Sequence, residues 1–188
     1  MDWASIQAEL GGLLRESKDD LENLKFTVGT GTNEPFGVIT GATTTVNATA
    51  GGLFDAEDVY RLTDALPARH QARASYVASG TIINKMAQFE TAGGALQFPE
   101  VRDGRLLRKG LFENSSMAVV TTVGALFLIY GDFSRFVIVD RIGLSVELIP
   151  HLFGTNHRPT GQRGLYAFWR NSSKVIDAGA FRVLIGLA

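Results

Sequence analysis

Residues 126–149 read LFLIYGDFSRFVIVDRIGLSVELI and contain three apolar runs rich in β-branched and aromatic side chains: 126–130, 136–139 and 144–149. Apolar runs of this length between turn residues are typical of β-strands. Gly131-Asp132 separates the first two runs, and Asp140-Arg141 follows the second. Both alternating faces of the middle run are apolar, so we expect that strand to be buried on both sides.

The chain after this stretch also favours strands. Residues 165–170 and 180–185 have a similar composition and predict two closing strands, joined by Asn171-Ser172-Ser173. Residues 151–164 are polar, contain glycine and proline, and predict a loop. The C-terminal half is therefore expected to be mostly sheet.

Two helices and two shorter features are predicted before this region. The first helix begins at a capping residue, Asp55, buries apolar residues up to Leu66, and ends at Pro67. The second covers residues 81–89 and stops at Gly93-Gly94. The shorter features are a strand at 74–77 and a tight turn at Asp103-Gly104 between two extended pieces.

The N-terminal residues predict a long amphipathic helix. Apolar residues recur three and four positions apart and form one stripe: Trp3, Ile6, Leu10, Leu13, Leu14, Leu21 and Leu24. Asp2 is a candidate N-cap. Gly11-Gly12 interrupts the pattern, which predicts a bend or a closely approaching neighbour. A long helix with a single apolar stripe is expected to lie along a sheet or another subunit.

The glycine-rich stretch GTGTNEPFG at residues 29–37 follows this helix and predicts a hinge loop. It lacks the Gly-Lys-Ser/Thr ending of a phosphate loop and does not open a helix, so a nucleotide site is disfavoured. Residues 40–52 are rich in Thr, Ala and Gly and predict an exposed linker or irregular strand at a domain boundary. The overall class is α+β, with helices first and a mostly antiparallel sheet after them.

Composition excludes several kinds of protein. The 188 residues carry a net charge of −1, whereas dedicated nucleic-acid binders usually have a basic surplus. The absence of cysteine excludes disulfides, thiolate catalysis and cysteine-ligated metals. The most apolar run, 117–130, is too short for a membrane-spanning helix, and the first residues do not resemble a signal peptide. A soluble chain in a reducing compartment is the expectation.

Few residues predict catalysis. The three histidines, His70, His151 and His157, have no helical metal-ligand spacing, although His151 and His157 flank one loop and could meet in space. No Gly-x-Ser-x-Gly elbow occurs, but a serine–histidine–carboxylate triad assembled in space stays open. The acidic clusters at 16–22 and 55–58 are explained by solvated helix faces and caps. These observations favour a protein that acts by binding partners through its surface over an enzyme with a reactive pocket.

An ordered series of segments carries a resemblance to a known family. The segments are 29–37, 106–117, FLIYGDFSRFVIVDR at 127–141, RGLYAFWR at 163–170 and AFRVL at 180–184. Together they resemble the major capsid proteins of tailed bacteriophages of the Hong Kong 97 type. The resemblance covers nearly the whole chain and rests on the order of the segments rather than on a single motif.

The resemblance implies a Hong Kong 97 type α+β fold without an active site or cofactor, in which a mostly antiparallel sheet is flanked by helices. Residues 1–37 would be the spine helix and exit turn of the peripheral domain. Residues 38–160 would be the axial domain, which packs around five-fold and six-fold axes, and 161–188 would be strands that return to the peripheral domain. Family members carry further segments before the spine helix, so a truncated form is expected.

The implied function is that of a structural subunit of an icosahedral shell around double-stranded DNA. Implied partners are copies of itself in pentamers and hexamers, scaffolding and portal proteins, and packaged DNA bound without sequence preference, with no membrane. The location would be the virion, after assembly in the host cytoplasm. Polar contacts between subunits are predicted at Asp132, Arg135, Arg141, Asn156 and Arg158. The alternatives are an encapsulin-like nanocompartment shell and, from another class, a small hydrolase or ligand-binding domain.

Overall fold

The computed structural model describes residues 3–188, with side chains from residue 9 onward. The predicted N-terminal helix is confirmed as α1, Trp3–Val28. The Asp2 cap and the side chains of Trp3 and Ile6 lie outside the described residues. Much of the predicted apolar stripe is exposed, because Leu10, Leu13, Leu21 and Leu24 keep 38–54% of their accessible surface.

Four short helices and eight strands follow α1 in the described chain. The helices are α2 (Val38–Gly41), α3 (Ala56–Ala65), α4 (Ala68–Gln71) and α5 (Gly80–Met86). The strands are β1 (Thr45–Asn47), β2 (Ser75–Ala78), β3 (Arg105–Leu106), β4 (Lys109–Glu113), β5 (Leu126–Gly131), β6 (Phe136–Ile149), β7 (Gly164–Val175) and β8 (Phe181–Ile185). Six strands form one sheet in the order β1-β8-β5-β2-β4-β3, and β6 pairs with β7. Three of the five pairings in the large sheet are antiparallel, which confirms the predicted α+β class.

The large sheet is covered on both faces. From Leu128 to Tyr130, successive β5 residues alternate between two apolar clusters, since Leu128 and Tyr130 belong to one cluster and Ile129 to the other. The first cluster includes buried residues of α3 and α5, and the second includes buried residues of α2. The double burial that we expected for 136–139 therefore belongs to β5 and β8, most of whose residues are buried.

The strand β6 differs from its prediction in length and burial. It runs unbroken through Asp140-Arg141, and Val137, Ile138 and Val139 are exposed. A charged pair does not break this strand because the side chains of Asp140 and Arg141 are both exposed to solvent. The expected joint at Asn171–Ser173 likewise lies inside β7, and the turn to β8 follows later, at 176–180.

The chain forms two compact units. One contains the residues up to Glu22 together with 138–172, and the other contains 23–137 together with 173–188. The predicted boundaries at 37/38 and 160/161 do not coincide with this division. The strand β8 belongs to the large sheet, where it pairs with β1 on one side and with β5 on the other.

The structure also corrects two local predictions, the linker at residues 40–52 and the hinge at residues 29–37. The predicted linker at 40–52 contains β1, which pairs in parallel with β8, and it buries Ala42 and Ala48, so no domain boundary lies there. The expected hinge at 29–37 is closed by hydrogen bonds from the Gly29 amide to the Lys25 carbonyl and from the Gly37 amide to the Gly29 carbonyl, at 2.8 Å each. A Cβ on Gly37 would lie 2.5 Å from the Gly29 nitrogen, so the glycine permits a close backbone approach.

Candidate assembly surfaces

The predicted contact residues Asp132 and Arg135 flank the turn between β5 and β6. Asp132 is buried, and its Oδ1 accepts hydrogen bonds from the Ser134 amide at 3.1 Å and the Ser134 hydroxyl at 2.7 Å. Its other oxygen lies 3.9 Å from the Arg135 guanidinium, which is half exposed. Burial opposes the charged form, but the Ser134 hydrogen bonds and the nearby Arg135 and Arg73 together hold the pKa of Asp132 below its ordinary value. Asp132 thus caps its own turn, whereas Arg135 remains available to solvent.

The other three predicted contact residues lie in the unit that contains the β6–β7 sheet. Arg141 is an exposed residue of β6. Asn156 and Arg158 are exposed at the tip of the 150–163 loop, where the Gly154 amide donates to the Arg158 carbonyl at 3.0 Å. Asn156 and Arg158 lie in one loop, and Asp132 and Arg135 belong to the other compact unit.

Exposed apolar side chains form a second kind of candidate surface on β6. Val139 keeps 58% of its accessible surface and Ile138 keeps 47%, and the same strand exposes Val146, Leu148 and Ile149. Isolated exposed apolar residues are ordinary, but a strand exposing so many is typical of an interaction surface. Sequence reasoning placed residues 136–139 inside because an apolar run has the same composition in a core and in an interface.

The histidines do not form a triad. His70 is buried, and its Nε2 accepts a hydrogen bond from Arg69 Nε at 2.8 Å and lies 3.4 Å from Asp177 Oδ2. Among the side chains of residues 9–188, no hydrogen bond joins a histidine to a serine or threonine hydroxyl. His70 lies in the other compact unit from His151 and His157. The described residues also hold no group of metal-ligating side chains.

Three Asn-x-Ser/Thr stretches occur in the sequence, at residues 47–49, 114–116 and 171–173, and each of these asparagines takes part in a hydrogen bond in the structure. The Asn114 amide donates to the buried Thr27 hydroxyl at 2.8 Å, and its oxygen accepts from the Ser116 amide at 2.8 Å. The Asn171 amide donates to Glu22, and the Asn47 carbonyl accepts from Arg61. None of the described helices is long and apolar enough to cross a membrane.

Comparison with known proteins gives a family and a set of solved folds. The sequence model described as the phage capsid family matches residues 2–185. No curated protein sequence matches the chain.

The structure is similar to the capsid of an empty GTA particle, with a TM-score of 0.84 and 23% identity over 97% of this chain and 67% of that chain. It is also similar to the capsid of the native GTA particle, with a TM-score of 0.82 and 22% identity over 97% of this chain and 66% of that chain. A chain of Microbacterium phage Oxtober96 has a TM-score of 0.72 and 15% identity over 96% of this chain and 66% of its own length. The chain thus spans about two thirds of the length of these solved chains.

Proposed function

The chain belongs to the phage capsid family, and from that premise we propose that it is a structural subunit that tiles a closed shell by binding copies of itself. The observation that carries the proposal is that large apolar side chains remain exposed although the core of the large sheet is already covered on both faces. The large sheet is covered on both faces, yet α1, β6 and several loops expose large apolar side chains. Many weak copies of one interface gain avidity in a closed symmetric lattice.

The two compact units suggest how the subunit is arranged. The unit of residues 23–137 and 173–188, with the large sheet, corresponds in this proposal to the axial domain, which surrounds five-fold and six-fold axes. The unit with β6 and β7 corresponds to part of the peripheral domain. Arg135, Arg141, Asn156 and Arg158 are exposed and remain proposed polar contacts between subunits, whereas Asp132 is proposed to act only by fixing its turn.

The proposed partners beyond copies of the chain follow from the same role. A shell that fills with double-stranded DNA needs weak contacts with the DNA, without sequence preference. A net charge of −1 suits a protein that encloses DNA better than a protein that binds DNA tightly. Scaffolding and portal proteins would act during assembly in the host cytoplasm, and the finished subunit would reside in the virion. The comparisons lend no support to a nanocompartment shell or a small hydrolase.

The test is assembly of the full gene product. Purified protein is analysed by size-exclusion chromatography with light scattering and by electron microscopy over a range of concentrations. Rings of five or six subunits, or closed shells, are the expected result. A protein that stays monomeric at every concentration would contradict the proposal. Packaged cargo enzyme instead of DNA in the isolated particles would favour the nanocompartment alternative.

A further inference from the structure

Basic side chains are concentrated in two short segments of the large-sheet unit. Residues 69–73 and 102–109 together contain six of the 18 lysine and arginine residues of the chain and only one acidic residue, Asp103. The net charge of the two segments is therefore +5. Because the net charge of the whole chain is −1, the rest of the chain carries −6. A local excess of positive charge in an otherwise acidic chain indicates a surface that attracts an anionic partner.

The fold brings the two segments together at one edge of the large sheet. Residues 69–73 lead into β2, and residues 102–109 lead through β3 into β4, which pairs with β2. The Lys109 ammonium donates a hydrogen bond to the Gln71 carbonyl, so the two segments are in direct contact. The strand β3 is the last of the sheet on this side. We call the five arginines of the two segments the basic edge patch: Arg69, Arg73, Arg102, Arg105 and Arg108.

All five arginines of the basic edge patch are exposed. Arg69 lies 3.7 Å from Asp177, and Arg73 interacts by charge with Asp132. The other three have no hydrogen-bond or ion-pair partner for their side chains among the described residues: Arg102, Arg105 and Arg108. The fold therefore leaves a row of positive charges without the acidic neighbours that other arginines of this unit have.

The turn between β3 and β4 holds Arg108 in a conformation that arginine rarely adopts. Leu106 pairs with Lys109, so the two central residues of the turn are Leu107, with φ of 48°, and Arg108, with φ of 67°. Two-residue turns with positive φ at both positions favour Asn-Gly. Leu107 packs against the core, but Arg108 is exposed and makes no contact that stabilises the described chain. A strained residue that the fold does not need is typical of a binding position.

Arginines at this spacing suit a polymer of phosphate groups. Arg102, Arg105 and Arg108 follow at three-residue steps, so the Cα atoms of neighbours are at most about 11 Å apart. A guanidinium group donates two parallel hydrogen bonds to one phosphate and keeps its charge. A DNA strand presents a phosphate about every 3.4 Å along its axis, so each arginine can reach a different phosphate. We infer that the basic edge patch binds closely spaced phosphate groups, those of a DNA backbone or of polyphosphate.

A carboxylate-bearing surface of another protein chain is the alternative partner, because arginine also binds carboxylates. Interfaces between proteins have an apolar centre, whereas neither segment of the basic edge patch exposes a large apolar side chain. Phe112 on β4 is the next exposed apolar residue along the chain and keeps 58% of its accessible surface. This residue distinguishes the alternatives, since a protein partner would cover Phe112 and a phosphate chain needs only the arginines.

The first test measures binding of the full chain to a short labelled DNA duplex by fluorescence anisotropy, with unlabelled inorganic polyphosphate as a competitor. The double variant Arg105→Gln/Arg108→Gln is compared with Arg15→Gln/Arg170→Gln, which removes the same charge from exposed positions of the other unit. Each phosphate contact contributes about 0.9 to the slope of log K against log salt concentration. R105Q/R108Q should therefore lower the slope by about 2 and weaken binding about tenfold at low salt, whereas R15Q/R170Q should change neither.

A second variant, Arg108→Gly, separates binding from folding. Glycine adopts positive φ without strain, so R108G should unfold at a higher urea concentration than the unmodified chain. The same variant should bind the duplex more weakly, because it lacks one phosphate contact. Phe112→Ala should bind the duplex as tightly as the unmodified chain does. Circular dichroism of each variant checks that the chain is folded.

Binding of the duplex that polyphosphate displaces supports the inference, and a preference for the duplex at equal phosphate concentration identifies the DNA backbone as the ligand. The inference is overturned if the chain binds neither polyanion at low salt, or if R105Q/R108Q binds as tightly as R15Q/R170Q. It is also overturned if R105Q/R108Q and F112A raise the concentration needed for assembly and neither polyanion binds, because the patch then contacts another copy of the chain. The binding measurements do not require assembly, so a failure of the proposed function is distinguishable from a failure of this inference.

Discussion

At the scale of single residues, Glu34 organises the loop that follows α1. One carboxylate oxygen accepts hydrogen bonds from the Thr30 amide at 2.7 Å and the Thr30 hydroxyl at 2.9 Å. The other lies 2.5 Å from the Lys25 ammonium, at the last turn of the helix. The hydrogen bond from Lys25 and those from Thr30 all favour the charged form and lower the pKa of Glu34 from 4.5 to about 2. One side chain therefore holds the helix end and the loop together.

The pKa of Glu34 predicts how its contribution depends on pH. Because the folded value is the lower one, the charged side chain stabilises the fold above pH 4.5, and this stabilisation is lost as the pH falls toward 2. Glu34→Gln should therefore unfold at lower urea concentration than the unmodified chain at pH 7, and the difference should shrink near pH 2. Glu57→Gln is a control, since that side chain is 81% exposed. A Glu34 carboxyl that titrates near 4.5 by NMR would contradict the prediction.

The candidate contact residues show what residue type alone reveals about function. Asp132 and Arg135 follow an apolar run and look alike as polar residues, yet only Arg135 is exposed. Sequence did not distinguish them, because an aspartate two residues before a serine can equally cap a turn or meet a partner. The exposure of Val123 was missed for the opposite reason. Val123 resembles a core residue in the sequence, yet it keeps 67% of its accessible surface.

At the scale of elements, the glycine pair in α1 is a feature with no partner in the described chain. A Cβ at Gly11 or Gly12 would meet nothing within 4 Å. The close neighbour that the sequence suggested is therefore not supplied by the described chain at these positions. Gly29, at the end of the same helix, is the contrast, because a Cβ there would overlap the carbonyl oxygens of Pro35 and Lys25.

Replacing Gly12 with alanine should therefore stabilise the chain. The expected gain is about 0.5–1 kcal/mol in the free energy of unfolding, because alanine has less backbone freedom to lose in a helix. Urea denaturation followed by circular dichroism, at a concentration where the protein is monomeric, measures it. Gly29→Ala should shift the midpoint in the opposite direction. A lower midpoint for G12A would mean that the helix does not have open space beside this position.

Other elements show where local signals are sufficient. The helix α3 was predicted closely, since Asp55 and Asp58 form a reciprocal capping box and Pro67 follows its end. The turn between β3 and β4 was not predicted, because Leu107 and Arg108 both adopt positive φ without a glycine. Such a conformation is costly for these residue types and is imposed by the pairing of β3 with β4. No composition rule identifies it.

At the scale of the whole molecule, the proposed function separates residues that hold the chain together from residues that hold copies together. Val183 is inaccessible at the centre of β8, whereas Val139 keeps 58% of its surface on β6. The two valines are indistinguishable in an apolar strand pattern. They differ only in whether this chain supplies the neighbours that cover them.

The same substitution at both positions makes this separation measurable. Val139→Thr preserves shape and strand propensity at an exposed position, so the free energy of unfolding of the monomer should change by less than about 0.5 kcal/mol. The concentration needed for assembly should rise, because a hydroxyl replaces an apolar group at a surface that becomes buried. Light scattering across a dilution series measures that concentration, and urea denaturation measures the monomer.

Val183→Thr should give the reverse pattern, a loss of about 1–3 kcal/mol in monomer stability from a buried hydroxyl without a partner. If V139T instead destabilises the monomer as much as V183T does, β6 is covered within a single chain. If V139T leaves both quantities unchanged, β6 takes no part in assembly, and the contacts between subunits must come from the loops of the large-sheet unit and the exposed face of α1. The pair of variants thus assigns each apolar strand either to the fold or to the shell.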